Sequence, residues 1–348
     1  MTAPVRTATG RLRWLVLSAV TAFLLSGAGI YAVSAFQRLQ ESLGALPPVA
    51  VAAGNTGLPA DSFVLFRNTA GGQGYGMAAT VALANPAGPR TIGSAPCDRV
   101  YSVGTGLVCL STNRGLATTF GATLYGANWQ QLHSWSLSGI PSRARASRDG
   151  TLVATTVFVT GHSYAGTGSS TETVIRSVAG PAKDENLEQF ALIVNGGQVT
   201  ATDRNIWGVT FVPGQPDAFY ATAASSGRHW LVRGSISNRT LTAVHDGVEC
   251  PSISPDGTRI AFKKNTGSGL KPHWKIAILD MATGGETILS EGRSVDDQIE
   301  WIDDKSLLYG MSRDGEAGDS DIWRITADAG GQPELYIEHA WSPSVVLR

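Results

Sequence analysis

The chain has 348 residues, of which only 16% are charged, and its formal net charge is -1. A balance this close to neutral gives no basic surface for nucleic acid and no acidic tail for a basic partner. Glycine is abundant, with 41 copies, and there are nine tryptophans. This composition favours a fold with many short strands and turns. The three cysteines are too few for a fold held together by disulfides.

The N-terminal segment predicts a membrane anchor. Residues 1–13 form a basic tail with three arginines and no acidic residue, and residues 14–36 contain no charged side chain. A helix of roughly 20 residues spans a bilayer, whereas the apolar part of a secretory signal is about 7–15 residues long. The length therefore favours a retained signal-anchor, although the small residues at Val33-Ser34-Ala35 would also suit cleavage and secretion.

The same segment predicts the location of the rest of the chain. Positive charge on the N-terminal side keeps that end in the cytoplasm, so everything after Phe36 is expected to be extracytoplasmic. Residues 37–60 contain several prolines and glycines and are expected to form a linker. The folded domain is predicted to occupy residues 61–348.

One turn recurs along the chain and defines its organisation. Ser254-Pro255-Asp256-Gly257 combines the residues that favour a tight turn, and the apolar run Ile260-Ala261-Phe262 follows it as a predicted strand. Degraded copies of this strand–turn–strand unit begin near Tyr101, Ser147, Phe211 and Trp301.

A second strand, marked by tryptophan, follows these units at a regular distance. Trp230, Trp274 and Trp323 are separated by 44 and 49 residues. Four antiparallel strands in a unit of about 40–50 residues are the signature of a propeller blade. The fold class is therefore all-β, a six-bladed β-propeller of four-stranded antiparallel blades behind one transmembrane helix. We predict blades near 62–95, 97–139, 141–200, 205–247, 249–296 and 298–339.

The first predicted blade lacks an inner strand ahead of Phe63. The C-terminal segment His339-Ala340-Trp341-Ser342-Pro343 is similar to Ser252-Ile253-Ser254-Pro255. We predict that this segment enters the first blade and closes the ring, because an open ring would expose unpaired strand edges.

The repeat carries a resemblance to a known family. The segment from Ser254 to Phe262, and Asp321-Ile322-Trp323-Arg324-Ile325-Thr326-Ala327-Asp328-Ala329-Gly330-Gly331, resemble the repeat of TolB-like β-propellers. With its anchor, the chain resembles the membrane-anchored TolB-like, translocation-type envelope proteins of actinobacteria. This resemblance implies an extracytoplasmic binding scaffold without a defined enzymatic activity.

No catalytic or metal-binding motif stands out. The segment from Gly161 to Gly166 departs from a Gly-x-Ser-x-Gly nucleophile elbow, because Ala165 stands at the fifth place and no helix is predicted after it. The acidic loop 314–321 could offer oxygen ligands to calcium, but its spacing is not that of an EF-hand, so a solvated loop is expected. No histidines form a pair with metal-ligand spacing. We therefore predict no cofactor, no metal site and no enzyme activity.

The cysteines allow one disulfide. Cys97 and Cys109 are predicted on paired strands of the second blade, where a disulfide is possible if Tyr101 pairs near Leu107. Cys250 would then remain free and buried.

The repeat also predicts a candidate site. Four residues before each copy of Ser254, the chain enters the innermost strand at one mouth of the central channel. The side chains at this position are Cys97, Arg143, Trp207, Cys250, Asp297 and Glu338, with Glu249 and Asp296 beside two of them. We take Arg143, Trp207, Glu249, Asp296, Asp297 and Glu338 as the candidate partner-binding residues.

Mixed acidic, basic and aromatic side chains at a mouth suit a peptide or a small polar ligand. The leading hypothesis is a non-enzymatic scaffold that engages a protein or peptide partner in the cell envelope, attached to the membrane by its N-terminal helix. The alternatives are a propeller hydrolase or lyase, a ligand sensor that uses the same mouth, and a water-filled channel without a dedicated ligand.

Overall fold

The computed structural model describes residues 9–45, 48–53, 57–115, 117–159, 170–179, 184–268, 271–314 and 318–348. The chain forms two compact units, residues 1–47 and residues 48–348.

The first unit is a single helix, α1, which runs over Thr9–Ala45. Within it, Leu12–Arg38 is long and apolar enough to cross a membrane, and it contains the predicted span 14–36. Large apolar side chains such as Trp14 and Phe23 are exposed along this stretch. A helix that is apolar on all sides needs either a protein core or lipid around it, so the helix is suited to a membrane.

The second unit consists of short strands. The strands of the first three blades are β1 (Phe63–Asn68), β2 (Met77–Ala82), β3 (Thr91–Pro96), β4 (Arg99–Val103), β5 (Gly106–Arg114), β6 (Thr118–Tyr125), β7 (Gln131–Leu137), β8 (Ile140–Ala146), β9 (Leu152–Val159), β10 (Ser170–Ser177) and β11 (Asp184–Asn186).

The chain continues through a 3-10 turn at Leu187–Gln189. The strands that follow are β12 (Ala191–Val194), β13 (Gly197–Val199), β14 (Asn205–Phe211), β15 (Ala218–Ser225), β16 (Arg228–Ser235), β17 (Thr240–Asp246), β18 (Glu249–Ile253), β19 (Arg259–Asn265), β20 (Trp274–Asp280), β21 (Glu286–Ile288), β22 (Glu300–Trp301), β23 (Ser306–Ser312), β24 (Ser320–Thr326), β25 (Glu334–Ile337) and β26 (Ala340–Val346).

These strands form the predicted six-bladed propeller. Five sheets have four strands each, in the orders β26-β1-β2-β3, β4-β5-β6-β7, β8-β9-β10-β11, β18-β19-β20-β21 and β22-β23-β24-β25. The sixth sheet, the fourth blade, has the order β14-β15-β16-β17-β12-β13. Within each four-stranded set, neighbouring strands are antiparallel.

The recurring turn is held by a hydrogen-bonded side chain. Asp256 Oδ1 accepts hydrogen bonds from Ser254 Oγ at 2.5 Å and from the Thr258 backbone N–H at 3.0 Å. Gly257 has a φ of +75°, which a residue with a side chain adopts at a cost. The bond from Ser254 lowers the pKa of Asp256. These bonds fix the turn and assign Asp256 a structural role.

The C-terminal strand closes the ring, as predicted. β26 pairs antiparallel with β1, with Val64 opposite Val345 and Phe63 opposite Val346. The first blade therefore takes its inner strand from the end of the propeller and its other strands from the beginning. This pairing removes the open edge that β1 would otherwise present.

The predicted limit of the third blade, residue 200, is wrong. The third blade ends with β11, and β12 pairs in parallel with β17 at the outer edge of the fourth blade, with Leu192 opposite Leu241. Leu187, Phe190 and Leu192 are buried in the core cluster that includes fourth-blade residues. Burying such side chains contributes about 1.5–3 kcal/mol each, and the backbone pairing with β17 joins this segment to the fourth blade.

Part of the expected linker is attached to the propeller. Val51 forms a parallel bridge with Arg90, and Ala52 N–H donates to Arg90 O at 2.9 Å. Leu58 N–H donates to Ala127 O at 2.7 Å, and the Leu58 side chain packs on the cluster shared by the first two blades. Residues 48–53 and 57–58 are therefore part of the second unit.

Candidate functional site

The central channel is lined by the inner strands β4, β8, β14, β18, β22 and β26. Hydrogen bonds in the turns that follow these strands show which residues of different blades are equivalent. Ser254 N–H donates to Arg259 O at 2.8 Å, and the matching bond in the sixth blade runs from Ile302 N to Ser306 O at 2.9 Å. Ile302, rather than Trp301, is thus equivalent to Ser254.

Two layers of side chains follow from this equivalence. The residues that lie two positions before the Ser254 equivalent in each blade form the middle layer of the channel. They are Tyr101, Arg145, Thr210, Ser252, Glu300 and Ser344. The residues that lie four positions before it form the entry layer. They are Arg99, Arg143, Gly208, Cys250, Gln298 and Ser342. We call the end of the channel where the inner strands begin the entry mouth and the other end the exit mouth.

Of the six residues predicted at equivalent mouth positions, the structure places Arg143 and Cys250 in the entry layer and the others at different depths. Trp207 and Asp297 lie one residue ahead of the entry layer, and Cys97 lies two residues ahead of it. The inner turns differ in length, so a fixed count back from the turn does not reach the same depth in every blade.

Asp297 forms a buried ion pair at the entry mouth. Its carboxylate is fully buried, lies 2.7 Å from Arg99 Nη1, and accepts a hydrogen bond from Gly310 N at 2.9 Å. The Arg99 guanidinium lies 4.9 Å from the centroid of the Trp341 ring. Burial lowers the pKa of Arg99, and Asp297 opposes this effect. Asp297 thus orders the mouth, and its charge is already neutralised by Arg99.

Arg143 is buried and incompletely paired. Its side chain is 10% exposed, and its Nε has no hydrogen-bond partner among the described residues. Its Nη2 lies 3.8 Å from Cys250 Sγ and 4.0 Å from Asp296 Oδ1, both of which are weak contacts. Asp296 is 69% exposed and also contacts the buried Lys263 ammonium. Two cations therefore converge on one exposed carboxylate.

Glu249 and Trp207 form a second group at this mouth. Glu249 Oε1 lies 3.6 Å from His229 Nδ1, and the His229 ring meets the Trp207 ring edge-on, with centroids 5.7 Å apart. Burial raises the pKa of Glu249 to about 7, and the nearby Lys263 opposes this rise. Burial also lowers the pKa of His229. Glu249 is therefore poised to change charge near neutral pH.

The placement of Glu338 at the channel mouth is wrong. Glu338 is exposed at the junction of the first and sixth blades, 3.4 Å from Arg313 Nη2, and its backbone oxygen accepts a hydrogen bond from Arg90. A bulge in the pairing of β26 with β1 shifts the register, so that Ser342 occupies the entry layer.

Cys97 and Cys109 form a disulfide, with their Cα atoms 5.3 Å apart. Cys97 lies just before β4 rather than within it, and Tyr101 pairs with Val108, next to Leu107, as the prediction required. Cys250 is free and buried. The disulfide ties the connection between the first two blades to β5.

Two other sequence motifs do not contribute to the described site. The segment 161–166 lies outside the described residues. Of the acidic loop, residues 315–317 also lie outside them, while Asp319 and Asp321 contact Arg313. Among the described residues, no group of three or more His, Cys, Asp or Glu side chains could hold a metal ion.

The middle layer closes the channel with a buried charge network. Arg145 and Glu300 are 7% and 8% exposed, and their side chains are in direct contact. Glu300 also accepts hydrogen bonds from Tyr101 Oη at 3.2 Å and from Val345 N at 3.2 Å. Burial raises the pKa of Glu300, and Arg145 opposes the rise. The network separates the entry mouth from a cavity of about 280 Å³ at the exit mouth.

Three of these charged residues, Arg99, Arg145 and Glu300, were not among the candidates from the sequence. Side chains two residues apart on a strand point to the same side of it, and this alternation is the sequence signal that could have identified them. Arg145 follows Arg143 by two residues, and Tyr101 follows Arg99 by two, so each pair points to the same side of its inner strand.

The propeller is similar in fold to solved structures of several proteins. TolB from Acinetobacter baumannii has 16% sequence identity and a TM-score of 0.56, over 84% of this chain and 69% of that one. A TolB candidate from Agrobacterium tumefaciens has 11% identity and a TM-score of 0.50, over 81% and 91%. A puromycin hydrolase has 13% identity and a TM-score of 0.50, over 85% of this chain but only 48% of the hydrolase.

No protein-family model and no curated protein sequence matches the chain. At these identities the similarity to solved structures is one of fold, and one fold hosts unrelated functions. The predicted resemblance is confirmed at that level: residues 48–348 form a six-bladed β-propeller with the TolB-like fold.

Proposed function

We propose that this chain is a non-enzymatic binding protein of the cell envelope, tethered by α1, whose entry mouth engages a protein or peptide. The TolB-like fold and the apolar N-terminal helix support this assignment. The observation that carries it is the incompletely paired Arg143, a buried cation that donates to its neighbour Ser142 O at 3.3 Å and otherwise has only contacts of 3.8 Å and 4.0 Å among the described residues. A buried charge without a good partner is costly, and an anionic ligand group would relieve that cost.

The surroundings of Arg143 favour a peptide with a carboxylate next to apolar side chains. Asp296 contacts both Arg143 and Lys263 from an exposed position, so a carboxylate of the partner can take its place. Ile140 and Phe158 are paired in register beside Arg143 and are 53% and 42% exposed. Aromatic residues and arginine are enriched in the cores of protein interfaces.

Site-specific crosslinking tests the proposal. A photoreactive residue replaces Ile140 in the full chain in its native envelope, and the control places it at Leu335, an exposed apolar residue on the outer strand β25. We expect a discrete adduct at Ile140 that is absent at Leu335 and is lost with Arg143→Gln. The matched control Arg228→Gln removes an exposed ion pair with Asp246 and should retain the adduct. Equal labelling at both positions, or an adduct indifferent to Arg143, would refute the proposal.

One observation favours an enzyme instead. Glu249 has a pKa near 7 beside His229, which is the range in which a general acid or base works best. A hydrolase or lyase that uses Glu249 should show a pH–rate profile with a limb near pH 7, and Glu249→Gln should abolish turnover. Ester and lactone substrates that are turned over equally by wild type and Glu249→Gln would exclude this second candidate.

The retained anchor is a separate part of the proposal. We propose that the N-terminus is cytoplasmic and that the propeller is extracytoplasmic. Mass measurement of the protein from washed membranes should give the intact N-terminus. A soluble product that begins near Phe36 would show that the helix is a cleaved signal.

A further inference from the structure

The exit mouth holds a cavity that the proposed partner site does not use. It opens where the inner strands end, and the middle layer forms its floor. Tyr101 lies in its floor, and the half-buried Ile253 and Val346 border it. Phe211 and Trp301 also border it, but their side chains are buried in the blade cores. A small concave site with a few converging polar groups at its base is a common architecture of a small-molecule site.

The charges in the floor are satisfied within the protein. Arg145 contacts Glu300 and also donates to Ser252 Oγ at 3.2 Å and to Ile299 O. Glu300 receives hydrogen bonds from Tyr101 and Val345 in addition. A charged ligand would lose its hydration in this cavity without finding an unpaired opposite charge in the floor. The floor therefore disfavours ions.

Two hydroxyl groups in the floor retain a free donor. Thr210 Oγ1 accepts a hydrogen bond from Ile253 N at 3.1 Å, and Ser252 Oγ accepts one from Arg145. Both side chains are buried, and within the described part of the chain neither hydroxyl has an acceptor for its own proton. A hydroxyl has one donor in addition to its lone pairs, so these two groups can each donate to an oxygen of a ligand.

The geometry points to a neutral sugar of monosaccharide size as the ligand of this exit cavity. About 280 Å³ holds roughly nine waters or one compound of about a dozen heavy atoms. The free hydroxyls match the oxygens of a sugar, and the Tyr101 ring in the floor can contact its apolar face. Arg148 at the rim is exposed, and its only hydrogen bond within the described part of the chain is to Pro255 O, at 3.4 Å, so solvent screens its charge.

Binding is measured on the full chain in a detergent without a sugar headgroup. Saturation-transfer NMR and calorimetry follow D-glucose and N-acetyl-D-glucosamine, with D-glucuronate and D-glucosamine as the charged counterparts. We expect saturable binding of a neutral sugar in the millimolar range, and charged counterparts at least about tenfold weaker. Absence of saturation for both neutral sugars up to about 50 mM, or preference for a charged one, overturns the inference.

Variants locate the binding. Thr210→Val removes the free donor, whereas Thr210→Ser keeps both the donor and the acceptor for Ile253 N–H. We expect a loss of about 2- to 10-fold for Thr210→Val and for Ser252→Ala, and near wild-type binding for Thr210→Ser. Asp296→Asn at the entry mouth should leave sugar binding unchanged, which keeps this test separate from the proposed partner site. Binding that is indifferent to both floor variants, with melting temperatures near that of wild type, would place the sugar elsewhere and refute the site.

Discussion

The buried contact between Arg145 and Glu300 gives a prediction that can be worked out in numbers. Arg145→Met keeps most of the apolar stem and removes the charge, which leaves the Glu300 carboxylate buried with only Tyr101 and Val345 as partners. Removing one partner of a buried ion pair costs about 3–5 kcal/mol. A unit of about 300 residues has an unfolding entropy near 0.6 kcal/mol/K, so the melting temperature should fall by about 5–8 °C.

The cost should depend on pH in a defined direction. Burial raises the pKa of Glu300, and loss of Arg145 raises it further. A carboxyl with a raised pKa in the folded state contributes stability at low pH that is lost as the pH rises through that pKa. The melting temperature of Arg145→Met should therefore lie closer to that of wild type at pH 5 than at pH 8.

The double variant Arg145→Met/Glu300→Met provides the control. Because it leaves no buried charge, it should recover most of the lost stability, to within about 1–2 kcal/mol of wild type. Thermal unfolding followed by circular dichroism at both pH values measures all three proteins. A shift below about 2 °C for Arg145→Met, or a double variant no more stable than the single one, would refute the account of the middle layer.

Three further predictions concern other parts of the propeller. Gly310→Ala should destabilise the protein by about 2–4 kcal/mol in denaturant titrations, because a Cβ would lie 2.5 Å from the Trp341 ring, whereas Gly292→Ala has open space and should be neutral; equal midpoints would contradict this. Cys97→Ser should cost about 3 kcal/mol through loss of the bond to Cys109, and calorimetry with and without reductant should show that only wild type responds. Burial raises the pKa of Glu188 to about 8, so its carboxyl is protonated in the folded state at neutral pH. The free energy of unfolding of wild type should therefore fall by about 2–4 kcal/mol between pH 6 and 9. Glu188→Gln should reduce this fall in urea titrations, and an unchanged pH dependence would refute the assignment.

The repeat made the fold predictable from the sequence, but it did not predict the depth at which each side chain lies in the channel. Ser254-Pro255-Asp256-Gly257 specifies its turn through local hydrogen bonds, so its copies mark the blades. Arg143 was found because its blade carries a turn of the same length at Ser147. Turns of other lengths displaced Trp207 and Asp297 by one residue.

The remaining errors have non-local causes. The residue of β26 that reaches the entry layer is Ser342 rather than Glu338, and its depth depends on the long-range pairing of β26 with β1. β12 joins the fourth blade through its parallel pairing with β17, a long-range contact that no local pattern encodes. The link between Arg145 and Glu300 crosses the channel between the third and sixth blades and depends on the closed ring.

The pairing of β26 with β1 also sets an order of events during synthesis. β1 leaves the ribosome first, and its partner follows only after the whole stretch between Asn68 and Ala340 has been made. At about 5–20 residues per second, this delay is roughly 15–60 s. During that time the nascent chain presents a hydrophobic strand with an unpaired edge, which is the kind of surface that aggregates or recruits a chaperone. Ring closure is therefore a late step of biogenesis, and a ribosome stalled before residue 340 holds a chain that cannot complete its first blade.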